Sequence, residues 1–205
     1  MKVLMINGSP HENGSTRRAL DEVAGVLNEQ GIETEIITVG DKSIVGCTAC
    51  CACAKLGKCV VDDIVNEIIE KLKVADGFVV GSPVYYASMN GTLKSLLDRV
   101  FFGKTCFANK PAAAIAVARR AGTTQTVDAI NKYFAINNMP IVSSQYWNMA
   151  FGSSAEQVST DDEGMQTMRT LGQNMAWLLK CINAGKEKGI NPPNYEQKVK
   201  TNFIR

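Results

Sequence analysis

Short apolar runs alternate along this chain with longer segments of helical spacing. Residues 3–6 are continuously apolar and stop at Asn7, Gly8, Ser9 and Pro10, the pattern of a strand buried on both faces. From 16 to 30, Ala19, Leu20, Val23 and Leu27 recur on one side of a predicted helix, with Gly31 as its stop signal. Residues 32–39 alternate Ile and Val with Glu and Thr, a second strand with one wetter face. No period is visible from 40 to 62, and an aperiodic stretch of that length inside a compact domain is usually functional. Asp62 or Asp63 then caps a helix whose stripe is Ile64, Val65, Ile68, Ile69 and Leu72.

The alternation continues. Residues 77–80 form a third strand, broken by Gly81, Ser82 and Pro83, and 91–102 are helical through Leu93, Leu96, Leu97 and Val100. Residues 111–118 form a fourth strand and 125–135 a helix. A fifth strand is placed at 139–143 or slightly beyond, and a last helix runs from Asp161 or Asp162 to Ala184. Strand–helix alternation repeated five times implies an α/β fold, a doubly wound five-stranded parallel sheet with helices on both faces. Residues 1–205 read as one domain, with a Cys-rich loop at 40–62 and a surface-draped or contact-making tail at 185–205. Open sheets of this kind hold ligands beyond the carboxyl ends of their strands. That rule selects the loops 7–16, 82–91 and 118–124.

Composition narrows the partners. A net charge of +2, evenly spread over 205 residues, argues against a nucleic-acid or acidic-membrane surface. No stretch approaches the roughly 18 apolar residues of a membrane span. The N-terminus turns to Gly and Ser after its short apolar run, so it reads as a first strand without an export signal. Seven cysteines in such a chain point to reduced thiols and a cytoplasmic location.

The first loop, GSPHENGST, joins a strand to a helix. The open amides of the helix start and the hydroxyls of Ser9, Ser15 and Thr16 offer neutral donors to a phosphate. It lacks the lysine of a Walker loop and the GxGxxG of a dinucleotide fold. A hydroxyl-rich pocket without lysine suits one terminal monophosphate, as on FMN; the alternative is an ordinary capped turn. His11, the only histidine, either adds a donor or faces solvent. The middle loop sets Tyr85 and Tyr86 beside exposed backbone, flat apolar cover and amides of the kind a flavin ring needs.

Five of the seven cysteines fall within 47–59. Setting Cys51 aside leaves Cys47, Cys50, Cys53 and Cys59 in the spacing C-x2-C-x2-C-x5-C, which suits an iron–sulfur cluster or, less often, zinc. Free or reversibly oxidised thiols are the third reading. Cys106 and Cys181, in apolar helical surroundings, read as buried small hydrophobes. Trp147 reads either as a wall of the ligand site, beyond the fifth strand, or as an interface aromatic.

GSPHENGST, SPVYYASMNGTLKSLLDR and ARRAGTTQT together resemble the NADPH-dependent FMN reductase family of flavodoxin-like proteins, across roughly residues 1–150. The cysteine spacing further resembles its iron–sulfur flavoprotein branch, although the extra Cys51 and the lack of a proline after Cys59 depart from it. The resemblance implies FMN bound through its phosphate at Ser9, His11, Ser15 and Thr16, with Asn13 and Gly14 shaping the turn. It implies ring contacts at Pro83, Val84, Tyr85, Tyr86 and Ser88, and at Arg119, Ala121 and Gly122. No side chain need act as an acid or base, since FMN carries the chemistry. The activity implied first is reduction of a small acceptor at the expense of NAD(P)H. The second is relay of electrons from a ferredoxin-like donor through a [4Fe–4S] cluster. A competing reading from a different class, resting on the cysteine loop alone, is a redox-sensing or zinc-binding regulatory domain. Family members form homodimers or homotetramers that complete the flavin pocket.

Overall fold

The structure, a computed structural model, describes residues 1–103, 107–197, 199 and 201. The chain runs β1 (Lys2–Asn7), α1 (Ser15–Glu29), β2 (Glu33–Thr38), α2 (Cys53–Leu56), α3 (Ile64–Val74), β3 (Gly77–Pro83), α4 (Gly91–Phe102), β4 (Ala112–Ala118), α5 (Thr123–Ile136), β5 (Met149–Phe151), α6 (Ala155–Ser159) and α7 (Asp162–Glu187). The five strands form one sheet in the order β2-β1-β3-β4-β5, parallel at every pairing. Among the described residues no helix is long and apolar enough to cross a membrane.

The continuous apolar runs of β1, β3 and β4 follow from burial on both faces, because successive side chains of a strand point to opposite sides. Val3, Met5, Val79, Ala113 and Ile115 pack against α1 and α7. Their neighbours Leu4, Ile6, Phe78, Val80 and Ala114 pack against α3, α4 and α5. On that second face the small alanines of β4 leave room for Phe78 and Phe134, which meet edge to face at 6.0 Å. Helix starts are set locally. Asp63 caps α3 by accepting the Val65 N–H at 3.1 Å, and Asp161 caps α7 by accepting the Gly164 N–H at 3.0 Å.

Three expectations are corrected. The fifth strand lies not at 139–143 but at Met149–Phe151, in register with Ala116–Ala118. Ile141 makes only an isolated parallel bridge to Ala112. Between the two, the chain leaves the sheet and returns, and the buried Asn148 closes the excursion by donating to the Val142 carbonyl at 3.3 Å. Cys181 is exposed: it lies two positions past buried Leu179, about 200° around the helix. Trp147 therefore precedes β5 and is 57% exposed, stacked edge to face on Tyr146. Cys106 lies outside the described residues.

Candidate functional site

The first loop is wound around its own polar groups. Buried Asn7, at the end of β1, accepts the Ser9 N–H at 3.0 Å and donates to Thr38 Oγ1 at 3.2 Å and the His11 carbonyl at 3.4 Å. Ser9 Oγ accepts the His11 N–H at 3.1 Å, and the Gly14 N–H donates to the His11 carbonyl at 3.2 Å. Gly40, just beyond β2, closes on this loop so tightly that a Cβ there would stand 2.2 Å from the Ser9 carbonyl carbon and 2.3 Å from the Gly8 oxygen. Gly14 is the N-cap of α1 and brings no side chain to its first-turn amides. Those donors stay open toward the cleft, together with the positive end of a 15-residue helix.

The middle loop follows β3. The Val84 N–H donates to the Val117 carbonyl at 3.0 Å, and the chain then folds back in a two-residue hairpin in which Tyr85 and Ser88 exchange backbone hydrogen bonds of 2.8 and 3.0 Å. Its central residues, Tyr86 and Ala87, both have positive φ, 50° and 58°, the pattern of a type I′ turn built without glycine. Tyr86, at the apex, is fully exposed. Gly122 (φ +87°) lies against this turn; a Cβ there would approach Ala87 Cα and Val84 Cγ1 to 2.9 Å. Glycine is what lets the third loop pack on the second.

These loops frame a cleft of about 590 Å³, within the ordinary size range of cofactor sites. Ser9, His11, Asn13, Gly14, Ser15, Thr16, Pro83, Val84, Tyr85 and Arg119 line it. Tyr86, Ser88, Ala121 and Gly122 do not: the first two belong to the turn itself, and Gly122 packs beneath it. Trp147 is also absent from the lining. The sequence reading missed the end of β4, Val117 and Ala118, and the loop from β5 into α6, residues 152–156. Placing the fifth strand ten residues early hid that loop. The open amides, the hydroxyls without a lysine, and the apolar wall of Pro83 and Val84 fit an FMN molecule in chemistry and size.

A second cleft lies among the cysteines. Cys47, Cys50, Cys53 and Cys59 line it, and so does Cys51, together with Val60, Val61, Arg99 and Phe102. Among the described residues no three His, Cys, Asp or Glu side chains are already gathered closely enough to hold a metal ion. The donors are grouped on one cleft but not drawn to one point. Their chemistry, soft thiols with no competing carboxylate in the lining, fits an iron–sulfur cluster.

Arg99, in the last turn of α4, is buried beside this cleft. Burial opposes its charge, but its hydrogen bonds to Asp63 and Cys59 outweigh that and hold the guanidinium above its ordinary pKa. Arg99 and Phe102, in the last turn of α4, border this smaller cleft, while Asn90 at the helix start donates to the Gly8 carbonyl of the first loop. α4 itself is twelve residues, about 18 Å, long.

Comparison with known proteins gives concordant results. The sequence model of the NADPH-dependent FMN reductase family matches residues 1–154. An iron–sulfur flavoprotein of Methanocaldococcus jannaschii is 37% identical over 191 residues, covering 89% of this chain and 99% of that protein. One from Methanosarcina thermophila is 32% identical over 92% of this chain and 100% of its own length. Among solved structures, RosB with a bound 8-demethyl-8-formylriboflavin-5′-phosphate intermediate superposes with a TM-score of 0.71 at 16% identity, over 100% of this chain and 94% of that one. An archaeal flavodoxin gives 0.61 at 16% identity, over 88% and 99%. These two likenesses speak for a shared flavodoxin-like fold.

Proposed function

The chain belongs to the NADPH-dependent FMN reductase family and is an FMN flavoprotein oxidoreductase; from that premise we propose that FMN occupies the cleft between the loops after β1, β3, β4 and β5. The observation that carries this placement is the uncapped start of α1, with Ser15 and Thr16 on a lysine-free loop. A phosphate there takes amide and hydroxyl hydrogen bonds and the favourable field of the helix. Pro83, Val84 and Tyr85 supply the apolar wall for a ring, and Arg119 brings a positive charge to the rim. FMN bound there would supply the redox chemistry, with NAD(P)H as the electron donor and a small molecule as the acceptor. The protein's part would be to bind and orient it.

A second reading joins the first. The five thiols on one cleft, and the relatives named as iron–sulfur flavoproteins along nearly their whole length, support a [4Fe–4S] cluster on Cys47, Cys50, Cys53 and Cys59. Such a protein relays electrons from a ferredoxin-like donor to the flavin. We place it in the cytoplasm as a homodimer or homotetramer.

Protein purified without oxygen tests both readings by its FMN, iron and acid-labile sulfide content and by anaerobic mixing with NADH or NADPH. About one FMN and about four irons per chain are expected. Cys59→Ala should lose the iron and keep the FMN. Iron retained in that variant would put Cys51 in the ligand set. Zinc in place of iron overturns the cluster. A bound flavin that neither nicotinamide bleaches overturns the reductase reading and leaves the relay.

A further inference from the structure

We propose that Arg99 is a positioning residue for the sulfur of Cys59, and that with Asn66 it makes Cys59 the pre-set member of the cysteine group. The inference rests on the reading of the cysteine cleft as a cluster site. Cys59 is held at both ends. Its backbone N–H donates to Asn66 Oδ1 at 2.8 Å, and its carbonyl accepts from Asn66 Nδ2 at 3.1 Å, so one amide side chain grips the main chain twice. Its Sγ accepts the Arg99 Nε–H at 3.4 Å. Cys47, Cys50 and Cys51 are exposed, and Cys51 Sγ reaches no further than the Ala49 carbonyl two residues away. Cys53 is part-buried, but its Sγ has only a 3.9 Å contact to the Phe102 carbonyl, and among the described residues no side chain holds its main chain.

The commitments of Arg99 exceed what a structural ion pair requires. Its two terminal nitrogens donate to both oxygens of Asp63, at 2.6 and 2.9 Å, and also to the carbonyls of Val45 and Val61, at 3.4 and 3.2 Å. Those four bonds fasten both flanks of the cysteine segment to the cap of α3. The fifth donor, Nε–H, adds nothing to that fastening and goes to sulfur. A guanidinium has five N–H donors, and all five are used here. Among the described residues Arg99 is the one buried side chain with a formal charge, a placement tolerated only when its donors are satisfied.

An N–H aimed at a thiolate ligand has a definite consequence. It draws electron density from the sulfur and favours the reduced, more negative state of the metal group, so the potential rises. The planar fork also fixes where the sulfur sits, which a lysine ammonium cannot reproduce while it serves Asp63.

The test uses the full chain purified without oxygen: wild type, Arg99→Lys and Asp63→Asn. Four quantities are read: iron and sulfide per chain, FMN per chain, the midpoint potential of the iron–sulfur chromophore, and the melting temperature. Asp63→Asn keeps a capping side chain and leaves the Nε–H on Cys59. It should lower the melting temperature and keep the iron, and any shift of the midpoint potential should be positive, because a negative charge near the cysteines is lost, opposite in sign to that of Arg99→Lys. Arg99→Lys should keep FMN, lose iron, and shift the remaining chromophore to a more negative potential. If Arg99→Lys melts lower yet keeps wild-type iron and potential, Arg99 is structural and the inference is overturned. A wild type free of iron and sulfide overturns the cluster reading and, with it, this inference. Should Arg99→Lys not fold, the double variant Arg99→Met, Asp63→Asn leaves neither charge unpaired and carries the same comparison.

Discussion

Asn90 Nδ2 donates to the Gly8 carbonyl at 2.5 Å while Asn90 Oδ1 accepts the Leu93 N–H at 3.1 Å, so one buried amide both caps α4 and ties the middle loop to the first. Ser82 Oγ accepts the Asn90 backbone N–H at 3.3 Å and fixes its approach. Two loops about 80 residues apart in sequence share this side chain. Asn90→Ala removes the cap, about 1 kcal/mol, and strands a carbonyl, about 1–3 kcal/mol. Urea unfolding should show a loss of about 2–4 kcal/mol.

The phosphate is expected at the start of α1. Ser15→Ala and Thr16→Ala each remove a hydroxyl from a charged acceptor, an interaction of about 1.5–3 kcal/mol. FMN titrated into apo-protein, followed by quenching of flavin fluorescence, should show roughly tenfold or greater weakening for each. Unchanged affinity for both would put the phosphate elsewhere.

The hairpin at Tyr85–Ser88 holds two non-glycine residues in the left-handed region. That conformation costs L-residues about 1–2 kcal/mol each, and Asn-Gly adopts it readily. Tyr86→Asn with Ala87→Gly should raise the melting temperature, with a gain of about 1–2 kcal/mol after the entropic cost of glycine. If the exposed Tyr86 ring also serves the flavin or a neighbouring chain, the same variant will bind FMN more weakly while melting higher. A variant that melts no higher would show that the turn carries no recoverable strain.

Glu22 on α1 accepts from Arg18 at 2.7 Å and from Arg169 on α7 at 2.5 Å, and Arg18 reaches Ser159 of α6 at 2.8 Å. Burial pushes the Glu22 pKa up, but the hydrogen bonds to Arg169 and Arg18 outweigh it and hold the carboxyl below its ordinary value. A group depressed in the folded state stabilises above its unfolded pKa, about 4.3, and that contribution is lost as pH falls through the folded value. Glu22→Gln should therefore melt below wild type at pH 7, and the gap should close as the pH drops below about 4. A gap that does not narrow at all as the pH falls below the unfolded value would mean that the carboxylate charge is not what matters.

The first loop was legible because its chemistry is contiguous: a strand, seven connecting residues and a helix start place Ser9, His11, Ser15 and Thr16 together by local geometry alone. The cysteines were legible for the same reason, as a spacing within thirteen residues. Arg99 was not. It stands 40 positions from Cys59, on the flank of the apolar stripe of α4, and in sequence it looks like any cation in the last turn of a helix. Its one available signal was a charge beside Leu96 and Val100, on a helix that has to be packed. The 152–156 loop was equally hidden. The run from Met139 to Phe151 contains two segments able to lie along β4, and only pairing with Ala112 and then with Ala116–Ala118 chooses where the ladder resumes.

The apolar periodicity by itself determined the class of fold, the order of its first four strands and the longer helices between them, and the loops after β1, β3 and β4 that border the larger cleft. It could do so because strand and helix periods, caps and βα turns are local properties of the chain. Tertiary structure alone decided which side chains share a cleft. It set Gly40 against the first loop and Gly122 beneath the hairpin, left Tyr86 in solvent, brought the loop after β5 to the rim, and laid the guanidinium of Arg99 on Cys59. Those are contacts between distant segments, and they exist only once the two hydrophobic layers have closed on the sheet.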